Sequence, residues 1–156
     1  EKLALFVYNA FPYGAKEHHY QSLLEIELQQ LGYRVQSEVA IVYKVNNMNG
    51  DEVQLPHDIR GREDLLLPNE KFILELKQTK HLGDSEHQQL LRYMHQRKTY
   101  SSWNLNTKGI LINFGDEDFE MWLVLYDKDG KIVHIRINKT IPTIKQTNLK
   151  PNAMTL

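Results

Sequence analysis

The chain contains no cysteine. A disulfide framework, a cysteine-ligated iron–sulfur cluster and a thiol nucleophile are therefore excluded together, and any chemistry must rest on carboxylates, lysine, histidine or hydroxyls. No apolar run approaches the ~20 residues needed to span a bilayer. The opening Glu1-Lys2-Leu3 has neither an initiator Met nor a secretory signal pattern, so the chain is expected to be excised from a larger protein; the lack of cysteine fits an intracellular protein, the compartment left open. Internal repeats and low-complexity segments are missing. So are a P-loop, a dinucleotide fingerprint, a G-x-S-x-G elbow and an HExxH helix, which removes the triphosphatase, dehydrogenase, α/β-hydrolase and histidine-zinc readings. An excess of one charge is also lacking, with 19 basic against 20 acidic residues. That balance argues against tight, nonspecific binding of long duplex.

What is present suits one globular domain over residues 1–156: 41% of the residues are apolar and 25% charged, enough for a core and a solvated surface. Charge is unevenly distributed. Residues 77–108 carry Lys77, Lys80, Arg92, Arg97, Lys98 and Lys108 against Asp84 and Glu86, interleaved with Tyr93, Tyr100 and Trp103, and residues 131–150 carry five cations and no acid. Cations beside aromatics can track a phosphate backbone and stack bases, or simply form a solvated face.

Apolar residues at Tyr20, Leu24, Leu28 and Leu31 predict a helix over residues 14–31, closed by Gly32. Residues 34–43 alternate as a strand and run into a loop or hairpin turn at Asn46-Asn47-Met48-Asn49-Gly50. Residues 59–67 and 71–77 are two further strands joined through Pro68-Asn69-Glu70; in the second, Phe72, Leu74 and Leu76 take one face and Ile73, Glu75 and Lys77 the other. Ser85 with Gln88 resembles a capping box opening a helix to about residue 98, with Leu90, Leu91 and Met94 inward. Residues 109–114 are a buried strand, residues 121–126 and 132–137 form a hairpin around Asp127-Lys128-Asp129-Gly130, and an irregular tail starts near Thr140. The expected fold class is α/β, a mixed sheet flanked by helices.

The strand period brings Asp64, Glu75 and Lys77 toward one face. Two carboxylates suit a hard divalent cation such as Mg²⁺, with the Leu76 backbone carbonyl as a further ligand; Lys77 would position an attacking water or balance charge on phosphorus. The alternative is a cross-strand Glu–Lys pair contributing ~0.2–1 kcal/mol. Glu17, three residues before Tyr20, could point into the sheet as another metal or water ligand, or serve as a first-turn acid on the helix dipole. Glu38, beside Ala40 and Val42, is an acid on a potentially buried face. Gln89 and Tyr93, one turn apart, can reach the same phosphate or water.

These residues together resemble the GxxExxY proteins of the PD-(D/E)XK nuclease superfamily. Gly14-Ala15-Lys16-Glu17-His18-His19-Tyr20 is similar to the naming motif, Arg62-Glu63-Asp64-Leu65-Leu66 to the R-x-D-L segment, Glu75-Leu76-Lys77 to E-L-K, and Gln89-Leu90-Leu91-Arg92-Tyr93 to the Q-x-x-x-Y helix of RecB-like nucleases. The resemblance covers residues 11–115 and implies a restriction-endonuclease-like core in αβββαβ order, extended by a hairpin and tail over residues 116–156. It implies Mg²⁺- or Mn²⁺-dependent hydrolysis of phosphodiester bonds in DNA or RNA. Asp64 and Glu75 would be metal ligands, Lys77 the catalytic lysine, Glu17 a supporting acid, and Gln89 and Tyr93 active-site helix residues. Lys80, Arg92 and Lys98 would guide the nucleic-acid backbone. The sequence departs from the family at Glu86, where many relatives carry His, and in its longer loop over residues 46–58. Two rival expectations are a catalytically inactive module on the same fold, serving nucleic-acid binding or protein assembly within a larger complex, and hydrolysis of another phosphodiester such as a nucleotide messenger.

Overall fold

The computed structural model describes residues 1–56, 60–116 and 119–137, and it opens with a helix that the apolar pattern does not single out. Helix α1 (Lys2–Asn9) is apolar nearly all round, and Ala4, Val7 and Tyr8, at helical spacing, are its buried positions. The Tyr8 hydroxyl donates to the Gly115 carbonyl at 2.9 Å, fastening this helix to a distant part of the chain. Helix α2 (Glu17–Gln30) starts three residues later than the sequence pattern suggests, because Gly14 holds φ 78° outside it and Lys16 is the cap residue. Its buried side is Tyr20, Gln21, Leu24 and Leu28.

The strand after α2 is β1 (Gln36–Val42), followed by a small separate hairpin of β2 (Lys44–Asn46) and β3 (Glu52–Gln54). This hairpin occupies the long loop, and the Asn47 side chain closes its turn by accepting the N–H groups of Asn49 and Asp51. Strands β4 (Arg60–Leu67) and β5 (Phe72–Lys77) come next, then helix α3 (Asp84–Tyr100). Its cap differs from the expected Ser85–Gln88 box: Gly83 is the cap residue, and its N–H donates to the Glu86 carboxylate at 2.8 Å. The helix begins two residues earlier than a Ser85 cap would place it, which puts Glu86 at the third helical position, where a carboxylate reaches back to the cap. A 3₁₀ turn (Asn104–Asn106) leads into β6 (Lys108–Phe114), β7 (Phe119–Tyr126) and β8 (Ile132–Arg136). The tail from Thr140 lies outside the described residues, as do Lys139, Lys145 and Lys150.

The main sheet is six-stranded in the order β1-β4-β5-β6-β7-β8, with β5 and β6 parallel and every other neighbouring pair antiparallel. The parallel pair requires a crossover, which α3 supplies. Side-chain alternation sends Leu74, Leu76, Ile112 and Phe114 to the face covered by α1 and α2. Ile73, Leu111 and Val124 go to the other face, under Leu90, Tyr93 and Met94 of α3. Helix α3 rides close on β6: a Cβ at Gly109 would lie 2.7 Å from Met94 Sδ. No described helix is long and apolar enough to cross a membrane.

Alternation fails in one place. Val35 packs with the α1/α2 cluster, Val39 and Ile41 with the α3 cluster, and between them Glu38 takes φ 53°. Across the sheet Glu63, paired with Val39, turns toward α3 and is fully buried against Arg97, whose Nε and Nη2 donate to its carboxylate at 3.0 and 2.5 Å. Asp64 sits at this break.

Candidate active site

Strands β4 and β5 pair as Leu67 with Phe72, Leu66 with Ile73 and Leu65 with Leu74. One step on, Asp64 would face Glu75, and there the ladder stops. The Leu76 N–H donates to Asp64 Oδ2 at 2.7 Å, so a side chain stands where a strand carbonyl would otherwise be. This bond fixes the Asp64 carboxylate at the fork and leaves it beside Glu75.

Glu75 is buried, 1% exposed, and its Oε2 has no hydrogen-bond partner. Burial, followed by a hydrogen bond to Asp64 and that group's negative charge, pushes the Glu75 carboxyl up to about 10. Asp64 is held above its usual range mainly by burial, against the Glu75 hydrogen bond, the Leu76 N–H and the Lys77 charge, which favour its ionised form. Glu17, at the first position of α2, is raised by burial and then by Asp64, with Lys77 and the Gln78 N–H opposing. Three carboxyl groups from two strands and a helix thus influence one another in a site short of positive charge. Among the described residues no group of three or more His, Asp or Glu side chains is drawn together closely enough to hold a metal as it stands. The buried pair, with one carboxylate oxygen unsatisfied, nevertheless matches the donors a hard divalent cation takes: one or two carboxylates, the remainder being water and phosphate.

The cation already present is Lys77. Its Nζ lies 3.8 Å from Glu75 Oε1 and donates to Gln89 Oε1 at 2.7 Å. Gln89 Nε2 in turn donates to the Tyr93 hydroxyl at 2.9 Å. One turn of α3 therefore aims the lysine. The Tyr93 ring is seated on Gly61 of β4, where an added Cβ would come within 2.6 Å of Tyr93 Cε1 and 2.9 Å of the Tyr43 hydroxyl.

Glu38 is not on a buried face. The left-handed backbone turns it outward, exposed like Ala40 and Val42, and Gln21 Nε2 holds its carboxylate at 2.8 Å. Its charge still reaches the site, raising Asp64 and Glu17. Of the three backbone-guiding candidates, Lys80 and Arg92 are exposed. Lys98 is not grouped with Arg92: its Nζ lies 4.9 Å over the Tyr126 ring on β7, whereas Arg92 shares a cleft with Tyr43 on the opposite flank of α3.

Four contributors escape a reading by motif. Gln21 also donates to the Asp64 carbonyl at 3.4 Å; its place one turn after Glu17 is the only signal it gives. Buried Asn113 grips Thr79 by both backbone groups, at 2.9 Å each, and so holds the chain just past Lys77; a polar residue inside Ile110-Leu111-Ile112-Asn113-Phe114 is the clue. Gly61 carries no local signal, and Tyr43 shows only as the last residue of an alternating strand pattern.

A model of the PD-(D/E)XK nuclease superfamily matches residues 1–122, well over half of the chain. It reaches beyond the stretch 11–115 at both ends, taking in α1 and the start of β7. No curated protein matches the chain, and no solved structure does.

Proposed function

The chain belongs to the PD-(D/E)XK nuclease superfamily, and on that premise we propose that it hydrolyses phosphodiester bonds of DNA or RNA with Mg²⁺ or Mn²⁺, as a member of the GxxExxY group. Nuclease activity and a nucleic-acid substrate are what the superfamily implies in general. The observation that carries the finer reading is the buried Asp64–Glu75 pair with its unsatisfied carboxylate oxygen and Lys77 alongside.

In this reading Asp64 and Glu75 would hold the cation, with Glu17 and the Leu76 carbonyl as further candidate ligands and water and phosphate taking the remaining positions. The cation supplies Lewis-acid polarisation of the phosphate. Lys77 orients the attacking water and offsets negative charge developing on phosphorus, which is most effective from a fixed position out of bulk solvent. Gln89, anchored by Tyr93, provides that fixity. Lys80 and Arg92 steer the backbone of the polymer toward the site.

The test is a gel assay on end-labelled single- and double-stranded DNA and RNA with Mg²⁺, Mn²⁺ or EDTA, using wild type, Asp64→Ala and Lys77→Ala. Metal-dependent cleavage by the wild type, reduced at least about 10²-fold in both folded variants, is expected. A folded wild type that cuts none of the four polymers overturns the proposal, and full cleavage by Lys77→Ala removes the lysine from its role.

A further inference from the structure

Beside the reaction centre, between α3 and the end of β1, lies a cleft of about 430 Å³ lined by Tyr43, Gln88, Leu91, Arg92, His95 and Gln96. That size is within the range of small-molecule sites. The cleft continues the site: Gln88 precedes the lysine-holding Gln89, and the hydroxyls of Tyr43 and Tyr93 converge over Gly61. One of its walls is tied to the helix. The Gln96 side chain accepts the Lys44 N–H at 2.9 Å and donates to the Lys44 carbonyl at 3.0 Å, pinning the residue next to Tyr43 to the helix.

The lining combines a half-buried aromatic ring, a leucine, an exposed guanidinium and an exposed imidazole. A flat, apolar-faced ligand with polar edges and a nearby phosphate satisfies all of these: the ring and Leu91 take the faces, Gln88 and His95 the edges, and Arg92 either the π-face or the phosphate. We propose that this cleft seats a nucleobase withdrawn from its stack, so that the polynucleotide is bound single-stranded or with a nucleotide flipped out at the site. The proposal rests on the nuclease reading for its orientation relative to Lys77. A base inside a duplex cannot enter, because both of its faces are occupied by neighbours and its edge is paired. The near-zero net charge agrees, since affinity that does not come from many phosphate contacts must come from bases.

The experiment compares binding of a fluorescein-labelled thymidine 12-mer with that of an abasic tetrahydrofuran 12-mer of equal charge, by anisotropy in EDTA, for wild type, Tyr43→Ala and Tyr43→Phe. Wild type is expected to favour the base-carrying polymer by about tenfold or more, Tyr43→Ala to lose that preference while keeping its affinity for the abasic polymer, and Tyr43→Phe to retain it. Equal wild-type affinities, or a preference unchanged in Tyr43→Ala, overturn the proposal. Should Tyr43→Ala fail to fold, ultraviolet cross-linking of the wild type to a 4-thiothymidine 12-mer decides: adducts on Tyr43 or residues 88–96 support the cleft, and adducts solely elsewhere overturn it. Binding in EDTA does not require cleavage, so failure of the cleft and failure of the nuclease reading are separable.

Discussion

At the scale of single residues the strongest tension is in Glu75, a carboxyl enclosed by strands and helix with another carboxyl beside it. Its ordinary value of 4.5 is raised to about 10 by burial and by Asp64. In EDTA the native state then keeps a proton that the unfolded chain releases near pH 4.5, so between those values the native state binds more protons and stability falls as pH rises. The contribution is fully present below pH 4.5 and is lost by about pH 10. The melting temperature in EDTA is expected to decline from pH 5 to 9, and Glu75→Gln, which cannot ionise, should flatten this slope; parallel profiles for the two proteins would contradict it. The proximity of Asp64, Glu75 and Lys77 was legible beforehand, because a short turn and a period of two leave few registers. The degree of burial was not, since it depends on α3 and β6 covering the strands from elsewhere in the chain.

Between elements, two contacts set how α3 sits on the sheet. Gly61 admits the Tyr93 ring, and Gly61→Ala would force a Cβ to 2.6 Å from Cε1. The displaced tyrosine would take Gln89 and hence Lys77 with it. Turnover is expected to fall by about tenfold to a hundredfold with a smaller change in KM, measured by steady-state cleavage kinetics on the wild-type substrate. Unchanged turnover would mean that Tyr93 does not position the lysine. The second contact is Arg97 with Glu63, which is 0% exposed. Arg97→Ala would leave a buried carboxylate unpaired, at a cost of about 3–5 kcal/mol in urea unfolding at neutral pH. A loss below about 1 kcal/mol would show that Glu63 finds water or a proton at little cost. Neither contact is visible in the motifs: strict alternation puts Glu63 on the face opposite Arg97, whereas the structure turns it toward α3, where Arg97 binds it.

At the scale of the whole molecule the proposed metal site would couple to stability, because a cation bound only by the native state stabilises it by mass action. At a hundredfold excess of Mn²⁺ over its Kd the gain is about 2.7 kcal/mol. A rise in melting temperature with Mn²⁺ is expected for wild type and should vanish in Asp64→Asn, as read by differential scanning calorimetry; an equal rise in both would place the ion elsewhere. The sequence by itself determined the αβββαβ order, the strand faces in β5, and that Asp64, Glu75 and Lys77 lie together. These rest on local periodicity and turn chemistry, which act over a few residues and leave their mark in spacing. The helix α1 went unread because residues 2–9 are apolar on nearly every side, and its contacts with Gly115 and the α2 core are long-range. Only the tertiary structure decided the outward turn of Glu38, the separation of Lys98 from Arg92, the seat of Tyr93 on Gly61 and the cleft against Tyr43. The seat of Tyr93 and the cleft against Tyr43 are set by the packing of α3 on strands more than thirty residues away in sequence, while Lys98 answers to Tyr126 of β7 and Glu38 to Gln21 of α2, and spacing along the chain carries no record of such contacts.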